Sequence, residues 1–186
     1  MIAKLQLCPY HAGKVRGGPV FSIPEGITAL CGPNGSGKSM MLKAIHSCDR
    51  CAKNRSDSGE TRFFDTETMN PRSSADPPGS MLNMTLRIRA RFSSHGEILK
   101  AALFSMPLKK GDTVLIDEPE SGQDIAGIEE LLSGFEAICR AGGQVVVASH
   151  HPLLLQENVI ELAPGYAEKL RQAYRKTLCP ETQGRK

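Results

Sequence analysis

The sequence has no tryptophan, and its three tyrosines and six phenylalanines hold the aromatic share to 5% of 186 residues. A protein that captures sugars or single-stranded bases on stacked rings is therefore disfavoured. No stretch approaches the roughly 18 apolar residues that a membrane span requires. The segment from Met1 to Tyr10 carries one lysine and a broken apolar run ending in Cys8-Pro9, so it does not read as a signal peptide. An excess of one charge is lacking as well: 23 basic against 20 acidic residues leave a net charge of +3. That balance neither demands nor forbids a polyanionic partner. Six cysteines without an export signal read as reduced thiols in a cytoplasmic protein. Only Cys48 and Cys51 form a C-x-x-C pair, and no second such pair exists. A zinc site needs about four ligands, so even with His46 as a third, metal binding is not expected there.

What remains is an ordinary globular composition, 40% hydrophobic and 23% charged, long enough for one well-buried domain and too short for two. The chain therefore reads as a single domain over residues 1–186. Residues 68–80 are rich in Pro, Ser, Asp and Gly and read as a mobile loop. Residues 167–186 read as a basic helix and tail with a solvated face.

Short apolar runs at Ile2 to Cys8, Val20 to Ile23, Ile27 to Cys31, Thr61 to Asp65, Thr113 to Ile116, Gln144 to Ala148 and Val159 to Leu162 predict strands. Apolar spacing predicts helices over Met40 to Cys48, Glu97 to Phe104 and Ile125 to Cys139, the last with its apolar face at 125, 128, 131, 132, 135 and 138. Asp49 to Glu60 reads as a polar loop. Met84 to Phe92 alternates as a strand would, though a helix also fits. Alternating strands and helices with near-continuous apolar strands imply an α/β fold built on a largely parallel sheet.

Three segments carry chemistry. Gly32-Pro33-Asn34-Gly35-Ser36-Gly37-Lys38-Ser39 matches the phosphate-loop pattern GxxxxGK[ST], between a strand and a helix. Its glycines let backbone N–H groups turn inward around an anion, and the helix adds the positive end of its dipole. Lys38 can reach the β- and γ-phosphates, and the Ser39 hydroxyl can ligate Mg²⁺. Next, Val114-Leu115-Ile116 runs into Asp117-Glu118, two carboxylates at the strand edge where phosphate loops sit. Asp117 is expected to hold Mg²⁺ and Glu118 to orient or deprotonate the attacking water. Last, His150 follows the apolar strand Val145 to Ala148, where its ring nitrogens suit a γ-phosphate.

In this combination the segments from about Phe21 to Tyr166 resemble the nucleotide-binding domain of the ABC ATPase superfamily. Gly32 to Ser39 resembles its Walker A loop and Val114 to Glu118 its Walker B strand with the catalytic glutamate. Ser121-Gly122-Gln123-Asp124 resembles the D-loop, with Asp124 at its usual aspartate, and His150 matches the switch histidine. Ser94-His95-Gly96-Glu97 aligns with the SGGQ part of the family signature, which caps the γ-phosphate on a second subunit. His95 in place of glycine is a departure, as is Met40 where threonine often follows the serine. No Q-loop glutamine follows Phe63-Phe64-Asp65-Thr66-Glu67; Glu67 takes that place. Tyr10 is the best-placed candidate for an adenine-stacking ring upstream of the loop.

The resemblance implies a P-loop NTPase fold with a much reduced helical subdomain. It also implies binding of ATP and Mg²⁺, ATP hydrolysis, and an ATP-dependent homodimer coupled to an unidentified protein or DNA. The short stretch between Lys38 and Ser94 leaves little room for contacts with a membrane subunit and weighs against a transporter. Asp117-Glu118-Pro119-Glu120 and the ending Val159 to Tyr166 look like the small stand-alone RecF/SMC/OLD-like branch. An iron–sulfur-assembly ATPase stays open at lower weight. Two rival classes stand beside this reading. One is a non-catalytic ATP switch, against which Glu118 argues. The other is a small P-loop kinase, for which Arg87, Arg89 and Arg91 are the only clamp candidates.

Overall fold

The computed structural model describes residues 1–53, 59–65 and 107–178. Two strands, β1 (Lys4–Gln6) and β2 (Val20–Ser22), form an antiparallel pair on either side of a single-turn helix α1 (Pro9–Ala12). The main sheet holds β3 (Ile27–Cys31), β4 (Thr61–Asp65), β5 (Thr113–Asp117), β6 (Gln144–Ala148) and β7 (Asn158–Glu161), in the order β4-β5-β6-β3-β7. Every pairing in it is parallel. Helices α2 (Lys38–Ser47), α3 (Asp49–Ala52), α4 (Ile125–Arg140) and α5 (Tyr166–Leu178), with a 3₁₀ turn at Pro152–Leu154, complete the described elements.

Side chains on a strand alternate between faces, so a strand apolar at every position needs cover on both. β5 and β6 are buried at every residue. Leu115 and Val146 point to one face and pack with Met41, Leu42 and Ile45 of α2. Val114, Ile116, Val145 and Val147 point to the other and meet Ile128, Leu131 and Phe135 of α4. Ile125, counted on the apolar face of α4 from its spacing, is instead 66% exposed. It is the first residue of the helix, ahead of the turn that reaches the sheet. The Gln144 amide, fully buried, accepts from the Ile2 backbone N–H at 2.7 Å and donates to the Ile2 and Pro24 carbonyls at 3.0 and 2.9 Å. This satisfied polar contact locks the N-terminal arm to the sheet.

The strand assignments from periodicity hold to within a residue or two at most ends, though β1 is only three residues long. The polar stretch after Cys48 departs from expectation, because Asp49–Ala52 closes a helical turn with Cys51 buried beneath it. The basic helix does form, with Ala167 turned into the core while Lys169, Arg175 and Lys176 lie exposed. Among the described residues no helix is long and apolar enough to cross a membrane. The loop at 68–80, the ambiguous segment Met84 to Phe92, the helix at Glu97 to Phe104 and Glu67 lie outside the described residues.

Candidate functional site

Parallel pairing aligns the carboxyl ends of the strands, and register decides which residues meet there. Asp65 of β4 pairs with Asp117 of β5, Asp117 with Ala148 of β6, Leu30 of β3 with Ala148, and Cys31 with Glu161 of β7. The loops leaving these ends carry the candidate residues of all three sequence motifs to one edge of the sheet.

The phosphate-loop segment follows β3 directly. Gly37 has φ 98°, and a Cβ there would stand 2.6 Å from the Lys14 carbonyl oxygen and 2.8 Å from the Val15 Cα. Only glycine fits both the left-handed backbone and that close approach. Arg16 N–H donates to the Ser36 carbonyl at 3.0 Å, so the arm after α1 braces the loop from outside. No side chain caps the N-terminus of α2, which leaves its first amides directed into the loop. The Ser36 hydroxyl is buried and has no hydrogen-bond partner. Pro33, Asn34 and Gly35 form the outer turn, with Asn34 and Gly35 exposed. Met40 is half-buried and packs against the core.

Lys38 is buried at 6% exposure, and its Nζ donates to the Gly32 carbonyl at 3.1 Å. Burial pushes its ammonium below the ordinary lysine value, while the negative charges of Glu118 and Asp117 pull it back up. Asp117 is 7% exposed and accepts a hydrogen bond from Ser39. Burial raises its carboxyl above the usual range, the Ser39 bond opposes this, and Asp65 and Glu118 raise it further. Asp65, the last residue of β4, stands beside Asp117 and faces Lys43 at 4.0 Å, a placement that strand pairing and not local sequence decides.

Glu118 is exposed, with a φ of 48°. Among the described residues it is the one non-glycine in the left-handed region. Such a conformation is strained for an L-residue and persists only where the surroundings impose it. Here the Glu118 N–H is held by the Ala148 carbonyl at 2.9 Å.

His150 sits beyond the end of β6. Its Nδ1 meets the Tyr166 hydroxyl at 3.4 Å, and its buried Nε2 has no hydrogen-bond partner. Burial lowers its imidazole below the ordinary value; the Lys38 charge lowers it further, and Glu118 and Glu120 oppose the shift. Asp124 caps α4, its Oδ1 accepting from the Gly127 N–H at 2.7 Å. Tyr10 is 60% exposed on α1, with the Lys14 ammonium 4.0 Å from its ring centre. Ser94, His95, Gly96 and Glu97 lie outside the described residues, as do Arg87, Arg89 and Arg91.

The residues fit a magnesium–nucleotide. The loop presents backbone donors, an unpartnered buried hydroxyl on Ser36 and a buried cation on Lys38. The edge beside it offers oxygen donors on Ser39 and Asp117, which suit a hard divalent cation.

No protein-family model matches the chain. One relative is a cytochrome c biogenesis ATP-binding export protein, CcmA, of Novosphingobium aromaticivorans. It is 37% identical over 75 residues, 40% of this chain and 39% of that protein. The protein of the same description from Gluconobacter oxydans is 29% identical over 162 aligned positions, 74% of each chain. Among solved structures, CbiO1 from Clostridium perfringens, part of the ABC transporter complex CbiONQ, superposes with a TM-score of 0.54 at 15% identity, covering 96% of both chains. An ATP-binding subunit of an ABC transporter superposes with a TM-score of 0.55 at 16% identity, covering 94% of this chain and 93% of that one. The chain has the fold of an ABC ATPase nucleotide-binding domain.

The expected branch needs correction. The two relatives are ATP-binding export proteins, and neither supports the RecF/SMC/OLD-like group. The short interval between Lys38 and Ser94, which weighs against a transporter, lies mostly outside the described residues. The relatives weigh the other way.

Proposed function

We propose that this protein binds ATP with Mg²⁺ and hydrolyses it as the ATP-binding subunit of an export system, driving a membrane partner. The observation that carries the reading is the convergence of Lys38, Asp117, Glu118 and His150 on one sheet edge around the phosphate loop.

The amides of Gly35 to Ser39 and the Lys38 ammonium bind the β- and γ-phosphates. Ser39 and Asp117 hold Mg²⁺, which supplies charge neutralisation on the phosphate oxygens when bound. Glu118, exposed at the mouth of the site, orients the attacking water and accepts its proton. The unpartnered His150 Nε2 hydrogen-bonds the γ-phosphate. Tyr10 stacks on the adenine from the arm that braces the loop.

Two copies sandwich two nucleotides, with Ser94, His95, Gly96 and Glu97 of each copy closing the other's site and Asp124 lying in the loop between the copies. The names of the relatives support an export role, and the resemblance of Ser94 to Glu97 supports the sandwich.

Light scattering on the Glu118→Gln protein tests the reading. A shift from monomer to dimer on adding Mg-ATP, with ATP retained unhydrolysed, is the expected result. A protein that binds ATP yet stays monomeric at all concentrations overturns the sandwich. Hydrolysis at the parent rate overturns the role given to Glu118.

A further inference from the structure

At the C-terminal end of α2 the fold closes a cluster that the sequence alone does not show. Cys8 lies immediately before α1 and His11 one turn further on, a C-x-x-H pair. Cys48 occupies the joint between α2 and α3, and Cys51 the middle of α3, a C-x-x-C pair. Packing of the N-terminal arm on α2 brings the two pairs face to face, and one donor atom from each side chain lies within 4.8 Å of all the others. The second pair that the spacing of the cysteines failed to supply is Cys8 with His11. His46 belongs elsewhere, 3.4 Å from the Thr61 hydroxyl and stacked on Phe63.

We propose that Cys8, His11, Cys48 and Cys51 bind one zinc ion as a structural Cys₃His site. Zinc is held tetrahedrally with Zn–S near 2.3 Å and Zn–N near 2.0 Å, which sets the donors roughly 3.5–3.8 Å apart. The observed separations bracket that edge. Cys8 Sγ to His11 Nδ1 is 3.2 Å, Cys51 Sγ to His11 Nδ1 is 3.5 Å and Cys8 Sγ to Cys48 Sγ is 4.0 Å. The backbone contributes as well, since the Cys8 N–H donates to the Cys51 sulfur at 3.3 Å. Amide donors of this kind favour thiolate and orient it.

The donor set selects the ion. Three sulfurs and an imidazole suit zinc and leave no oxygen for calcium or magnesium. Four donors this close converge on one atom and have no space between them for an iron–sulfur core. Cys8 and Cys51 are buried and His11 and Cys48 half-buried, so the shell is closed and no position is left for catalysis. A cavity of about 530 Å³ lined by Cys8, Pro9, Arg50 and Lys53 gives the ion a path in. Zinc with three thiolates carries one net negative charge, and Arg50 and Lys53 on that rim are of the complementary sign.

The placement says what the ion does. The arm it anchors continues through Lys14 and Val15, which lie close to Gly37 at the start of α2, while Cys48 ends that helix and Cys51 follows in α3. Zinc thus fastens the arm along the phosphate-loop helix, with Tyr10 held on the fastened segment.

The test needs no nucleotide, so its failure and the failure of the ATPase reading are distinguishable. The whole chain is produced in zinc-supplemented medium and purified under reducing conditions without chelator. Elemental analysis is expected to give one zinc per chain. Exchange with Co²⁺ is expected to give the intense visible bands of a tetrahedral site together with thiolate charge-transfer absorption. Cys48→Ser, at a half-exposed position, loses the tightly held metal, whereas His46→Ala keeps it. A parent protein with neither zinc nor a tetrahedral cobalt spectrum overturns the proposal, and that measurement requires no variant to fold. Full zinc content retained in Cys48→Ser also overturns it. So does a disulfide found by mass spectrometry in place of metal.

Discussion

The Glu120 carboxylate accepts the His150 backbone N–H at 2.7 Å, and the same oxygen, Oε1, accepts the Ser149 hydroxyl at 2.8 Å. The loop after β5 therefore fixes the loop after β6, and Glu118 and His150 are tied to one anchor. Both bonds of this oxygen go to the loop after β6, so we assign Glu120 a positioning role. Glu120→Ala is expected to leave KM for ATP within about threefold while lowering kcat roughly 10-fold or more, since misplaced catalytic groups cost rate before affinity. Glu120→Gln keeps an acceptor oxygen and restores much of the loss. Steady-state kinetics of the two variants decide this; equal loss of kcat in both means the charge, not the hydrogen bond, matters.

The left-handed backbone at Glu118 separates its contribution to stability from its contribution to chemistry. Glycine adopts that conformation without strain, so Glu118→Gly is expected to raise Tm by roughly 2–4 °C, the shift that about 1 kcal/mol produces at this size. Hydrolysis should fall on the order of 10²-fold or more with the base removed. Calorimetry and phosphate release on one preparation test both halves. A lower Tm in the glycine variant shows that the conformation is not strained.

Lys38 is buried and held to the Gly32 carbonyl. Removing a charged donor to phosphate is worth about 1.5–3 kcal/mol, so Lys38→Ala should weaken ATP binding roughly 10- to 150-fold. Titration of a fluorescent ATP analogue measures this directly. Unchanged affinity dismisses Lys38 as a phosphate ligand.

His150 gives a pH signature. Its folded value lies below the ordinary 6.5, because burial and Lys38 disfavour the imidazolium. The unfolded chain then binds the proton more readily, so stability is fully present above about pH 6.5 and is lost as pH falls below it. Asp117 shifts the other way, its raised value making stability fall as pH rises through its titration, but that contribution is common to the parent and the His150 variant and cancels in their comparison. Thermal melts without nucleotide from pH 7.5 to 5.5 should show Tm of the parent protein falling more steeply than that of His150→Asn. Parallel curves mean that His150 does not carry the dependence.

Much of the candidate site is legible in the sequence. The strand, turn and helix around Gly32 to Ser39 are written in local periodicity and glycine placement, because an anion-binding loop is made by consecutive residues. The same holds for Asp117 and Glu118 at the end of an apolar run, and for His150 just past another. Asp65 and Glu120 were less legible as site residues. Their roles follow from β4 pairing in register with β5 and from a carboxylate crossing between two loops, and no window of sequence contains both partners.

Sequence by itself determined the elements, their alternation and the chemistry of each loop, since backbone preference and side-chain period act over a few residues. Tertiary structure decided what those loops face. It set Asp65 beside Asp117, put Glu118 in a strained conformation under the Ala148 carbonyl and left His150 Nε2 buried without a partner. It also joined Cys8 and His11 to Cys48 and Cys51 across some forty residues of chain. Contacts of that range arise when buried faces pack, and spacing along the sequence carries no record of them.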